Sequence, residues 1–390
     1  MADKYILFLS TNLIWGGSEV LWTQSAKAFA AKGCKVRAGF FYEFEFADQY
    51  INSKTDFVDL AYKPKPLHFL QRVIQKLGLA KFPVKNILHE DFKNIRPDLV
   101  VISQGNNIDG KVFMEDCILF NIPFVTITQL VTLDFWPALN DKIINKLRFL
   151  YQQAKANYFV STSTLLQHER LLAERFHNNV IVYNPFTKEH PSCINFPVLE
   201  DGIYKVALVG RIETFHKGYD LLIDILKQEK WKTRPVQFSV FGTGPHIELL
   251  QRTIKLNNIK NISFNGHSHK IDEVWKKHHI LLMPSRMEGQ SLSLIEAMRF
   301  SRAAIVTDVG GTNELIDDGV NGFIARYPLP EFIDDALERA WERRDEWEQL
   351  GINAAAAIAQ KHPADAVSFF NNQIEKVLSE NDELSVNINK

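Results

Sequence analysis

The chain has 390 residues, 46% of them hydrophobic and 23% charged, with a formal net charge of −1. Its length exceeds what one hydrophobic core usually fills, so two domains are expected, and its apolar content is that of a soluble globular chain rather than a disordered one. The near-neutral charge argues against a general nucleic-acid binder, which would carry a strong basic excess.

The N-terminus, MADKYILFLSTN, holds one short apolar run, Tyr5 to Leu9, that reads as a first β-strand. It lacks the charged start, long apolar core and small-residue cleavage site of a signal peptide. No stretch approaches the roughly 18 apolar residues a membrane span requires, so a cytoplasmic chain is expected. In IWGGSEV, Gly16 and Gly17 follow the strand, Ser18 fits a cap, and a helix is expected from about Glu19. This is a helix start suited to phosphate, with a purely structural glycine turn as the equal alternative. A dinucleotide fold would need GxGxxG here, which is missing, and only Glu43 near the second strand, VRAGFFYE, could meet a ribose.

Beyond this point β-branched or aromatic runs alternate with amphipathic segments: LVVIS, FVTIT, a helical stretch 141 to 155, and YFVST. Alternation of this kind predicts βαβ units around a parallel sheet. The segment 63–97 carries eight Lys or Arg against two acids, with Phe69, Leu70, Val73, Ile74 and Leu77 interleaved. It suits an anionic membrane surface or a lipid-linked acceptor, and equally a helix with a solvated basic face. A polar, Pro-containing stretch, Thr187 to Gly202, marks the domain boundary. The predicted organisation is a first Rossmann-like domain over 1–187, joined by a C-terminal helix within 364–390, and a second over 203–363.

The second half repeats the alternation through YKVALVG, VQFSVFG, ISFNG, ILLMPS, AAIVTD and GFIA. After ILLMPS the turn RMEGQ leads into an apolar helix, whose unpaired N–H groups around Gly289 to Leu292 can hold a phosphate. Glu288 precedes the helix, and Glu296 lies two turns on, at most about 12 Å away by helix rise. Carboxylates accept hydrogen bonds from vicinal hydroxyls, so a sugar at one end and a ribose at the other, with a diphosphate between, fit this spacing. In GRIETFHKGYD, Arg211 and Lys217 supply the cations that offset both acids and steady a departing diphosphate. Solvated surface side chains are the bland alternative for all four. FGTGP and DVGGTNEL read mainly as turns, with Pro245 at a first helical position and Thr312 or Asn313 at a helix start.

Taken in order, GGSE, VGRIETFHKGYDLLI, VFGTGP, NISFNGH, MPSRMEGQSLSLIEAM and TDVGGTNELIDDGVNGFI resemble retaining glycosyltransferases of family 4, which have the GT-B fold. The resemblance implies an α/β architecture of two Rossmann-like parallel-sheet domains facing across a cleft. It implies that Arg211, Lys217 and Glu288 serve catalysis, with Glu288 on the transferred sugar, and that Glu296 holds the ribose. Gly16, Gly17, Gly289, Gln290, Ser291 and Leu292 would complete the donor site. The family's usual EGFGL reads EGQSL here, which alters the sugar side of that site. Many members carry a histidine near the end of the strand where Gln129 stands; glutamine cannot relay a proton but can hydrogen-bond substrate, and Asp134 is a nearby alternative.

The expected partners are a nucleotide-sugar donor and a glycan or lipid-linked acceptor, the latter met through 105–111 and 129–137, with no nucleic acid. No cofactor and no metal are expected: no Asp-x-Asp triad or ligand cluster occurs. Cys34, Cys117 and Cys193, an odd count without a CxxC pair, read as reduced thiols. A non-catalytic nucleotide-sugar binder and a nucleotide-sugar epimerase of the same architecture are the competing readings.

Overall fold

Short β-branched runs alternating with helices fold into two parallel sheets in a computed structural model that describes residues 3–12, 16–40, 55–59, 92–93, 96–132, 139–186 and 195–388. The chain divides into two units: Met1–Phe159 with Leu165–Val182 and Val367–Lys390, and Val160–Thr164 with Tyr183–Ala366.

The first unit has strands β1 (Tyr5–Ser10), β2 (Lys35–Phe40), β3 (Thr55–Asp59), β4 (Leu99–Gln104), β5 (Phe124–Thr128), β6 (Ala156–Phe159) and β7 (Asn179–Ile181). They lie in the order β3-β2-β1-β4-β5-β6-β7, all parallel. Every residue of β1 and β4 is buried, as expected for strands covered by helices on both faces. The C-terminal helix spans Ala366–Ile388, within the expected 364–390. It belongs to this unit: Phe370 stacks edge-on against Tyr158 at 5.2 Å, and Glu375 pairs with Lys32 at 2.6 Å.

The second unit has strands β8 (Tyr204–Val209), β9 (Val236–Phe241), β10 (Ile262–Phe264), β11 (Ile280–Met283), β12 (Ala303–Thr307) and β13 (Gly322–Ala325). Their order is β10-β9-β8-β11-β12-β13, again all parallel. Strand side chains alternate between two cores. Val206, Leu208, Phe238 and Val240 join Trp231 on one face, whereas Ala207, Leu281 and Met283 join Trp275, Leu294 and Met298 on the other. In both sheets the order reverses beside the unit's first strand, between β1 and β4 and between β8 and β11. Connections leave in opposite directions there, which opens a crevice at the strands' carboxyl ends.

Local expectations fail where short polar contacts decide the chain path. Ser18 does not cap a helix; its Oγ accepts from Asn12 Nδ2 at 3.1 Å, and a 3-10 turn, Gly17–Glu19, precedes the helix Val20–Ala31. Pro245 lies outside the helix Ile247–Leu256, whose N-cap is His246. Thr214–Lys217, expected as loop, is one helical turn. Cys34 and Cys117 are buried and in no disulfide, while Cys193 lies outside the described residues. No helix among the described residues is long and apolar enough to cross a membrane.

His168 is buried among Tyr151, Phe159 and Phe176, with ring centroids at 4.4, 4.9 and 5.6 Å. Its Nδ1 lies 3.0 Å from Asn107 Nδ2, an amide that can only donate, so the ring carries its proton on Nε2. Burial lowers its pKa to about 3. An unfolded histidine titrates near about 6.5, so the unfolded state takes up the proton first. Stability is therefore full above that pH and falls on acidification by about 1.4 kcal/mol per pH unit for this group. Urea denaturation across mildly acidic pH should show the slope, and His168→Phe should reduce it by one proton. Equal slopes in the two proteins would contradict this account.

Candidate active site

The loops following β8 and β11 emerge side by side, because these strands pair directly at the reversal of strand order in the second unit. Their spacing is set by backbone. Gly218 has φ +66°, and a Cβ there would lie 2.0 Å from the Pro284 carbonyl oxygen. Only glycine accepts both the left-handed conformation and the contact. The amides of Arg286 and Met287 donate to the His216 carbonyl at 2.7 and 3.2 Å. The Arg286 guanidinium grips both Asp220 oxygens at 2.8 and 2.7 Å and the Thr214 carbonyl at 2.7 Å. Asp220 holds the Arg286 pKa above its ordinary value.

Glu213 builds the turn that carries Lys217. Its carboxylate accepts from the amides of Phe215 and His216 at 2.6 and 2.8 Å, capping the helical turn Thr214–Lys217. Burial works to raise the Glu213 pKa, but the hydrogen bonds from His216 and Phe215 outweigh it and hold the group below the usual carboxylate range. Lys217 Nζ, at the far end of the turn, lies 2.6 Å from Glu288 Oε1, and Ser285 Oγ donates to the same oxygen at 2.7 Å. Glu288 Oε2 has no partner among the described residues. Arg211, exposed just past β8, makes no ion pair with any described residue.

Past Glu288 the chain turns into the helix Leu292–Arg299, for which Ser291 is the N-cap. Ser291 Oγ contacts Ser293 Oγ at 2.9 Å instead of capping, and the amides at 291–293 keep no hydrogen-bond partner among the described residues. Gln290 turns inward: its Oε1 accepts from the Asn184 amide at 2.7 Å, and its carbonyl accepts from Asn184 Nδ2 at 3.3 Å. The glycine pair of DVGGTNEL buttresses this turn. Gly310 has φ +56° and would place a Cβ 2.0 Å from the Glu288 carbonyl oxygen, while the Gly311 amide donates to the Gly289 carbonyl at 2.8 Å. Glu296 sits half-buried along the helix, beside the buried Ile295 and Ala297.

The structure thus brings Lys217 and Glu288 into contact and sets Gly289, Gln290, Ser291 and Leu292 in one turn, with Arg211 on the neighbouring loop. Gly16, Gly17 and Gln129 belong to the first unit. There Gly16 is extended before the 3-10 turn, and Gln129 is buried, its amide donating to the Gln104 carbonyl at 3.1 Å. Asp134 and, apart from 92–93 and 96–97, the basic segment 63–97 lie outside the described residues. Sequence reasoning missed the Arg286–Asp220 clamp and Glu19. Glu19 is fully buried, accepting from Asn12 Nδ2 at 2.5 Å and Trp22 Nε1 at 2.9 Å, and it thereby fixes the turn after β1. An acid directly after GGS with Trp three residues on was the one signal available for it. Among the described residues no group of three or more His, Cys, Asp or Glu side chains is placed to hold a metal.

Residues 204–343 match the family model described as Glycosyl transferases group 1. An uncharacterized glycosyltransferase of Methanocaldococcus jannaschii is 27% identical over 219 residues, covering 55% of this chain and 58% of that protein. The alpha-D-kanosaminyltransferase of Streptomyces kanamyceticus is 30% identical over 165 residues, covering 41% and 42%. The chain therefore spans about half the length of the curated relatives it matches. Among solved structures, Anabaena HepE in complex with UDP aligns with a TM-score of 0.71 at 20% identity, covering 96% of this chain and 100% of that one. The fold is GT-B, and within its second unit residues 204–343 are similar to group 1 glycosyl transferases.

Gly218→Ala should lower the stability of the second unit by about 1–3 kcal/mol, since a left-handed non-glycine residue must also displace the Pro284 carbonyl. Chemical denaturation checks this, and an unchanged midpoint would contradict the proposed contact between the loops.

Proposed function

We propose that the chain is a retaining, metal-independent glycosyltransferase of family 4 that transfers a sugar from a nucleoside-diphosphate donor to a hydroxyl of a glycan or lipid-linked acceptor. The observation that carries this reading is the Lys217–Glu288–Ser285 contact at the start of a helix whose first amides are unpartnered, at a reversal of strand order. Helix-start amides and the dipole favour a phosphate there. Without donor, Lys217 and Glu288 neutralise each other. With donor, the Lys217 ammonium and the uncommitted Arg211 meet the diphosphate, Glu288 accepts from a hydroxyl of the transferred sugar, and Glu296 accepts from the ribose.

Cleavage of the bond between the anomeric carbon and the phosphate oxygen develops negative charge on the leaving diphosphate. Two cations and the helix-start amides stabilise that charge, the work a divalent ion does in other transferases. In retention the acceptor oxygen attacks the face the phosphate leaves, and the leaving phosphate oxygen takes the acceptor's proton. Gln129 then needs no proton-transfer role and serves as a hydrogen-bonding contact. The names of similar proteins support this reading: HepE was solved with UDP-glucose, and relatives include an alpha-D-kanosaminyltransferase and glycogen synthases. In this reading the chain works in the cytoplasm, with 63–97 meeting an anionic membrane face.

Release of nucleotide from UDP-, GDP- and ADP-sugars, with and without pooled glycan and glycolipid acceptors, tests the assignment. Lys217→Ala and Glu288→Gln should each reduce acceptor-dependent release by about 10²–10³-fold. Wild-type turnover in both variants would overturn it. Gln129 at the usual histidine position favours one other reading, a binder without turnover, for which nucleotide binds but no acceptor elicits release.

A further inference from the structure

The chain passes between its two units at four points, two of which are Val182–Tyr183 and Ala366–Val367. Asn184 and His362 lie close to these two passages, and both belong to the second unit. The Asn184 amide donates to Gln290 Oε1 at 2.7 Å, and the Asn184 carbonyl lies 3.0 Å from His362 Nε2. A carbonyl only accepts, so this contact is a hydrogen bond in the tautomer that carries its proton on Nε2. His362 Nδ1 lies 3.0 Å from the Pro363 carbonyl and 3.4 Å from Arg299 Nη2, and with the ring proton on Nε2 it accepts from Arg299. The ring is buried and, by that burial, neutral, which this tautomer requires. The two peptide groups that flank the Asn184 Cα are therefore both held: Gln290 takes the Asn184 N–H and His362 the Asn184 carbonyl.

We infer that Asn184 and His362 are positioning residues for the phosphate-binding turn, holding Gln290 so that the amides of Ser291 to Ser293 converge on one point. The inference rests on the proposed nucleotide-sugar site. Gln290 stands between Gly289, whose carbonyl is fixed by the Gly311 amide, and Ser291, which opens the helix. Its side-chain oxygen accepts from the Asn184 amide, and a phenylalanine there could not accept that hydrogen bond. A residue in the middle of the proposed donor turn is thus linked to Asn184 and, through it, to His362.

The test uses the full-length protein with UDP, GDP and ADP in calorimetry, and the sugar nucleotide that is turned over in kinetics. His362→Phe and Gln290→Leu should each weaken diphosphate binding about tenfold, the upper range for one lost hydrogen bond. In His362→Phe the loss should fall on KM and leave kcat nearly unchanged. His362→Gln, which restores a donor near the Nε2 position, should recover most of the affinity, a recovery that a general loss of packing would not give. Wild-type affinity in both disruptive variants, or no recovery in a folded His362→Gln, would overturn the inference while leaving the donor site standing. Should His362→Phe fail to fold, Gln290→Leu alone decides. Failure of wild type to bind any of the three diphosphates would overturn both readings together.

Discussion

The second unit's chemistry depends on a backbone approach that leaves no room for a side chain. The Gly218 Cα meets the Pro284 carbonyl, and from that contact the loop after β8 and the loop after β11 take a fixed spacing. The Arg286–Asp220 fork and the two amides on the His216 carbonyl hold it. A bidentate guanidinium–carboxylate pair constrains orientation as well as distance, so the loops cannot slide past one another without breaking two bonds. Lys217 then has one place to point, and Glu288 is there.

That pairing sets the electrostatics. A carboxylate beside a phosphate site would repel its ligand, and a lysine without a partner would be solvated and mobile. Joined at 2.6 Å with Ser285 on the same oxygen, the two are held ready with little net charge. In the proposed reading an incoming diphosphate would exchange one anionic partner of Lys217 for another and release Glu288 toward sugar hydroxyls. Arg211, exposed and without an ion pair among the described residues, would add the remaining positive charge. The same economy recurs in the first unit, where Glu19 is buried not as a ligand but as the acceptor that fixes Asn12 and Trp22.

Much of the fold was legible because period and composition carry it. Alternating apolar strands and helical segments predicted two parallel α/β sheets, and most of the apolar runs overlap observed strands, although β3 was not read and YFVST meets β6 only at Tyr158 and Phe159. The position of Lys217 and Glu288 on strand-end loops was also readable. What escaped were contacts between residues far apart in sequence. Gln290 reads as a ligand-facing substitution in EGQSL, yet its partner Asn184 lies 106 residues away, and no local pattern announces it. Arg286 reads as an ordinary surface arginine until Asp220, 66 residues distant, is placed beside it. Thr214–Lys217 is too short and polar for periodicity to reveal, and exists because Glu213 caps it.

The central claim, that the turn from Gly289 to Ser293 and the loop from Arg211 to Lys217 hold a nucleoside diphosphate, is tested most directly by backbone hydrogen exchange on the full chain. UDP, GDP and ADP would be compared with the free protein. The account predicts that whichever diphosphate binds slows exchange at the amides of Ser291, Leu292 and Ser293, with a smaller effect around Lys217. Binding that protects other segments and leaves these three amides unchanged would contradict it.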